Sequence, residues 1–141
     1  MGILNKKSKL LVLIGIGIII FSLFLPWTSM GSEVRNFWGF DRFGVVSLSV
    51  AVISWFYAKK ESYLFVLGLT IIVSTFSLIN FVNMADTMYI SAPDINYSKH
   101  VVNGCFYFHI FGCLFTLITC IVLSVINFIK KKEIQSSTDA R

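Results

Sequence analysis

The sequence predicts an all-α membrane protein, a bundle of four transmembrane helices with both termini in the cytoplasm. Three observations predict it. Charged residues make up 13% of the 141 and hydrophobic ones 56%, whereas a soluble domain carries about 25% charged residues. Four stretches, 10–32, 43–58, 62–85 and 101–129, contain no Asp, Glu, Lys or Arg. The basic residues gather in short clusters beside these stretches, as membrane proteins place them.

The first helix is expected at about 9–28. Its apolar run meets the roughly 20 residues that a span requires. Pro26-Trp27 reads as its interfacial end with an aromatic anchor, so a cleaved signal peptide is disfavoured. Met1-Gly2 resembles a myristoylation start, but Lys6 stands where Ser or Thr is wanted. The second helix, about 43–58, is short, and its ends lean on Arg42, Lys59 and Lys60 snorkelling to the interface. The third is expected at about 62–85 and the fourth at about 103–129, the latter long enough to tilt. Together they form one transmembrane domain, 1–134, followed by a polar, disordered tail at 135–141. Continuous apolar runs without alternation point to helices and away from a barrel.

Charge sets the orientation. Lys6, Lys7, Lys9, Lys59, Lys60, Lys130, Lys131, Lys132 and Arg141 fall on one side, and Arg35, Arg42 and Lys99 on the other. The positive-inside rule places the first set in the cytoplasm. The net charge of +5 therefore does not imply nucleic acid, because no basic face exists to track phosphates. The outer loop 26–42 is aromatic, with Trp27, Phe37, Trp38 and Phe40 expected at the headgroup level. The second outer loop is polar and holds Asp86, Asp94 and the glycosylation sequon Asn96-Tyr97-Ser98.

Each helix carries a stripe of small or polar residues at helical spacing. The first has Gly15, Ser22 and Pro26. The second has Ser47, Ala51, Ser54 and Ala58, and the third Thr70, Ser74, Ser77 and Asn80. The fourth has Cys105, His109, Gly112, Cys113, Thr116, Cys120 and Ser124. A compact bundle closed around these stripes is expected, with Phe, Leu, Ile and Val facing lipid.

The segment 15–56 resembles a group of small bacterial and archaeal four-span membrane proteins. In these an apolar first helix ends in Leu-Pro-Trp, and a short outer loop runs through Gly and Asp-Gly-like positions into the second helix. The matching residues are Leu25-Pro26-Trp27, Gly39, Asp41 and Gly44, with Arg42-Phe43 inserted here before Gly44. The Lys59-Lys60 turn and the glycines Gly104 and Gly112 also look similar. The resemblance implies location and fold, and supplies no activity. Claudin-like tetraspans share the topology, but the first loop here is shorter and has no cysteine.

Catalytic chemistry finds no support, because no nucleophile–base set, phosphate loop or paired carboxylate occurs. Cys105, His109 and Cys113 are candidate metal ligands by residue type and share one helical face. Residues eight apart on a straight helix lie about 12 Å apart, however, too far for one ion, so no metal or cofactor is expected. The same separation excludes a Cys105–Cys113 disulfide. His109 is the one titratable group inside a predicted span, which argues against ion-coupled transport.

The reading is a non-enzymatic inner-membrane protein with an accessory or binding role towards another membrane protein or a second copy of itself. Lipid surrounds it, and Trp27, Trp38, Phe40, Asp41 and Arg42 are its expected interaction residues. An immunity-type protein against a pore-forming toxin and a small passive channel or carrier are the alternatives.

Overall fold

The computed structural model describes residues 2–30, 35–39, 44–91, 100–102 and 104–139. Four helices account for most of them: α1 (Gly2–Leu23), α2 (Gly44–Lys59), α3 (Tyr63–Ser91) and α4 (Gly104–Asp139). Three short strands interrupt the series: β1 (Pro26–Met30), β2 (Arg35–Trp38) and β3 (His100–Val102). Each helix packs against two others, α1 on α2 and α4, and α3 on α2 and α4, which closes a ring.

The core is a stack of layers. One layer joins Val12, Ala58, Val66 and Cys120. The next joins Ile19, Ala51, Val73 and Cys113. The third joins Leu23, Trp27 and Phe106, flanked by Leu48 and Phe81. Numbers rise along α1 and α3 as they fall along α2 and α4, so neighbouring helices run in opposite directions. The start of α1, the α2–α3 turn and the late part of α4 therefore share one end. The strands lie at the other.

The inside of the ring is the polar side. Ser22, Ser47, Ser54, Thr70, Ser77, Asn80, His109 and Thr116 are all buried. Leu64 is 73% exposed, and Phe21, Phe56, Ile118 and Phe128 about as open as one another at 59–60%. Water would reverse this arrangement, and hydrocarbon favours it. On α2 the buried residues are Gly44, Ser47, Ala51, Ser54 and Ala58, which is the small-residue stripe extended by one turn. Two helical segments, Tyr63–Asn83 and Gly104–Lys132, are long and apolar enough to cross a membrane.

Glycine allows α1 and α4 to approach. A methyl at Gly15 would run into Thr116, and one at Gly112 would come within 2.7 Å of Ile18 Cγ2. The α2–α3 turn is a Schellman motif. Ser62 N donates to Tyr57 O at 3.2 Å and Glu61 N to Ala58 O at 3.1 Å, with Glu61 left-handed at φ 60. Ser62 O then accepts the Phe65 and Val66 amides at 3.1 Å, starting α3.

The structure departs from the sequence expectation at five places, the first being that helix α1 begins at Gly2 instead of about 9. Helix α1 ends at Leu23 instead of about 28, because Pro26 lacks an amide and disfavours helix at the residue before it. The loop after it forms strands that sequence reasoning did not anticipate. Helix α3 runs on to Ser91. Helix α4 runs to Asp139, through most of the segment expected to be a disordered tail. Once a helix is nucleated each further residue adds a hydrogen bond at little cost, and Lys, Glu and Gln favour helix.

Candidate functional site

The end of α1 sets up the site. Phe24 N and Leu25 N close the last turn on Phe21 O and Ser22 O at 3.1 and 3.2 Å. In a continuing helix Ser22 O would accept from residue 26, but Pro26 has no N–H. The indole Nε1 of Trp27 takes that role and donates to Ser22 O at 2.9 Å. The β1–β2 register slips between Pro26 and Thr28, an irregularity that re-aims a side chain. Trp27 consequently turns into the ring and is fully buried.

Beyond Trp27, β1 is the centre of a three-stranded antiparallel sheet of order β2-β1-β3. Thr28 pairs with Phe37 on one side and with Val102 on the other. Gly39, after β2, passes over the Trp27 indole so closely that a methyl there would collide with it. Gly39 N donates to Leu25 O at 3.2 Å. From α3, Asn80 Nδ2 donates to Gly39 O at 3.1 Å. The root of the hairpin is thus fixed to the interior of the helical ring.

Directly against Trp27 lies His109 of α4, with ring centroids 4.7 Å apart. Phe106, one turn earlier on α4, meets Trp27 edge-on at 5.3 Å and stacks on Phe81 at 4.0 Å. His109 is fully buried and both ring nitrogens are engaged. Nδ1 is 2.7 Å from Ser22 Oγ, and Nε2 is 2.8 Å from Ser77 Oγ. Ser77 Oγ is 3.5 Å from Ser47 Oγ. All four helices therefore contribute one side chain to a polar chain at a single depth.

The tautomer follows from proton counting. Ser22 Oγ also donates to Ile19 O at 2.7 Å, and a hydroxyl has one proton. Ser22 must therefore accept from His109, which puts the imidazole proton on Nδ1. Neutral His109 then leaves Nε2 as the unprotonated nitrogen, facing Ser77 Oγ. Deeper in the ring the hydroxyls bond their own helices. Ser54, Thr70 and Thr116 each donate to the carbonyl four residues earlier at 2.8–2.9 Å. The polar chain runs across the helices at the level of His109 and does not continue along the axis through these groups.

The sequence-predicted site residues divide. Trp27, expected at the headgroup level as an interaction residue, has no surface to offer a partner, because Pro26 and the register slip turn it inward. Trp38, at the end of β2, is 39% exposed. Phe40, Asp41 and Arg42 lie outside the described residues, as do Asp94 and the Asn96 sequon. Of the metal candidates, Cys113 Sγ comes within 3.6 Å of His109 Nε2, while Cys105 packs beside Leu23, Trp27 and Phe106. Among the described residues no three His, Cys, Asp or Glu gather to hold a metal ion.

Sequence reasoning placed Ser22, Ser47, Ser77 and His109 on separate stripes without joining them. Their common depth was recoverable in outline from antiparallel helices of known length. The Trp27–Ser22 bond and the Gly39 clamp carried no signal beyond the Leu-Pro-Trp pattern itself. The chain matches no family model, no curated protein and no solved structure.

Proposed function

We propose that this chain spans a bacterial inner membrane four times, with both ends in the cytoplasm, and acts there as a non-enzymatic accessory or binding protein towards another membrane protein. The inverted distribution of side chains supports the membrane part. Helix α2 is short, about 24 Å at 1.5 Å per residue, and the exposed Lys59 and Lys60 extend its reach to the headgroups. Lys7, Lys9, Lys59, Lys60, Lys130, Lys131 and Lys132 fall at one end of the ring, which the positive-inside rule makes cytoplasmic.

The observation that carries the binding role is the small sheet at the opposite end. β2 and β3 are its edges, and an edge strand is a template for a partner's extended segment. Trp38 stands half-exposed at the end of β2, and aromatic residues are enriched at interfaces. Hydrogen bonds from Gly39 to Leu25 and from Asn80 to Gly39 hold this edge in place, so little ordering cost remains for binding. A photo-crosslinker at Trp38, activated in native membranes, is expected to give one discrete adduct with a membrane protein or with a second copy. Adducts with lipid alone would contradict the reading.

A small channel or carrier is the second reading. It is favoured by the Ser22–His109–Ser77–Ser47 chain, which has a titratable group at its centre. Proton flux into liposomes that His109→Ala abolishes would support it, and flux no greater than in empty vesicles would remove it.

A further inference from the structure

The two ring nitrogens of His109 face different chemistry. Nδ1 carries the proton and meets Ser22 Oγ at 2.7 Å. Nε2 is bare, and two groups approach it: Ser77 Oγ at 2.8 Å and Cys113 Sγ at 3.6 Å. Cys113 stands one turn after His109 on α4, so the helix itself sets this nitrogen beside this sulfur. His109 is fully buried and Cys113 is 3% exposed. Cys105 packs instead with Leu23, Trp27 and Phe106, which leaves a donor set of one imidazole and one thiol.

We propose that His109 and Cys113 bind one soft monovalent metal ion, of the copper(I) class, inside the ring. Bonds of the length that zinc makes to these donors, about 2.0 and 2.3 Å, would meet at about 110–115° across the 3.6 Å gap. The ion takes the place of the thiol hydrogen, so the gap needs no widening. Binding forms an S–metal and an N–metal bond and breaks the S–H bond. The proton passes to water or to the ligand that the ion leaves, and no electron is transferred. Ser77 Oγ, 3.5 Å from Ser47 Oγ, is left with that hydroxyl as its partner.

Charge selects the class of ion. Among the described residues, none of the buried ones is Asp, Glu, Lys or Arg, so a net charge here has no counter-ion. One thiolate, one neutral imidazole and a monovalent ion sum to zero, whereas zinc leaves one positive charge in a medium that penalises it. Zinc also asks for four ligands, and soft thiolate ligation favours copper(I). The imidazole is held from behind, because Ser22 Oγ accepts from Nδ1 and donates to Ile19 O at 2.7 Å. That bond fixes the tautomer and leaves Nε2 as the ligating nitrogen.

The site lies in the interior of the ring and rests on neither the membrane reading nor the binding role. Silver(I), which needs no reductant, serves as the probe. The full chain in neutral detergent is incubated with silver and excess glutathione, long enough for local opening of the ring, and bound ions are counted by native mass spectrometry. One silver ion per chain is expected, and none in Cys113→Ser or His109→Gln, because a single thiol does not hold the ion against glutathione. Cys105→Ser is expected to keep it, and Ser22→Ala to lower affinity about tenfold. In the unaltered chain, which decides the matter if the variants do not fold, silver is expected to move the ¹⁵N resonance of the bare Nε2 and to leave Nδ1 protonated. Retention by His109→Gln equal to that of the unaltered chain would mark a plain thiol adduct and overturn the proposal. So would loss of silver in Cys105→Ser, an Nε2 resonance that silver leaves in place, or zinc held as tightly as silver in the same competition.

Discussion

Trp27 Nε1 donates to the carbonyl of Ser22 at 2.9 Å, the acceptor to which Pro26 offers no amide. The Ser22 carbonyl already accepts the Leu25 amide at 3.2 Å, but proline removes the donor that a continuing helix would have added. The residue after Pro26, a tryptophan, supplies a second donor to that carbonyl from its indole side chain. The Leu-Pro-Trp sequence is in this sense a helix terminator with its own cap. Trp27→Phe keeps an aromatic ring but removes the donor and the five-membered half of a fully buried indole, and is expected to cost about 2–4 kcal/mol, read as a lowered unfolding midpoint in detergent.

Gly39 is the counterpart of Trp27 across the hairpin. Gly39→Ala forces a methyl into the indole and is expected to destabilise by about 1–3 kcal/mol. Because the collision is with the five-membered ring and its fused edge, Trp27→Phe should relieve part of it. A double-mutant cycle is therefore expected to be non-additive, with the pair less costly than the sum of the two single variants.

The polar chain around His109 makes a prediction that does not involve stability. Ser22 donates to Ile19 O, so the imidazole proton sits on Nδ1. In ¹⁵N spectra of the folded protein at neutral pH, Nδ1 is expected to show the shift of a protonated nitrogen and Nε2 that of a bare one. The opposite pattern would mean that Ser22 donates to His109 and that the Ile19 contact is no hydrogen bond. His109→Ala, which empties a fully buried site, is expected to cost about 2–4 kcal/mol.

Much of this arrangement was legible in the sequence, and the exceptions have causes. The stripe Ser47, Ala51, Ser54 and Ala58 is buried, as the proposed lipid surroundings would favour, and that spacing is visible in one dimension. A stripe identifies a face but not a partner, so the meeting of Ser22, Ser77 and His109 depended on how deep each helix sits. The strands were not legible. β3 has three residues and pairs with Thr28, Ser29 and Met30, 70 to 74 positions earlier, and no local pattern announces such a contact. Trp27 was read as an interfacial anchor from composition, whereas the missing amide at Pro26 and the register slip beside it set its direction.

The glycines separate cleanly. A methyl at Gly68 meets nothing within 4 Å, whereas one at Gly112 comes within 2.7 Å of Ile18. Gly112→Ala is expected to cost about 1–3 kcal/mol by prising α1 from α4. Gly68→Ala is expected to be neutral or to stabilise by up to about 1 kcal/mol. The measurement is the unfolding midpoint of each variant in the same detergent.

Glu61 holds a left-handed conformation at φ 60 that costs a non-glycine residue about 1–2 kcal/mol. Glu61→Gly keeps the Schellman hydrogen bonds and removes that cost. It is expected to raise stability by about 1 kcal/mol, offset in part by the greater freedom of glycine in the unfolded chain.

The central claim is that the ring of helices stands in a bilayer, with its lysine-rich end in the cytoplasm and its sheet outside. Single cysteines introduced by Ser8→Cys, Lys60→Cys, Ser98→Cys and Gln135→Cys, in a Cys105→Ser background that leaves only the buried Cys113 and Cys120, can be tested with a membrane-impermeant maleimide on intact cells. The account predicts labelling at Ser98→Cys alone, with the other three reacting only after the membrane is opened. Labelling of Ser8→Cys or Gln135→Cys without the other on intact cells, or of Lys60→Cys together with Ser98→Cys, would contradict it.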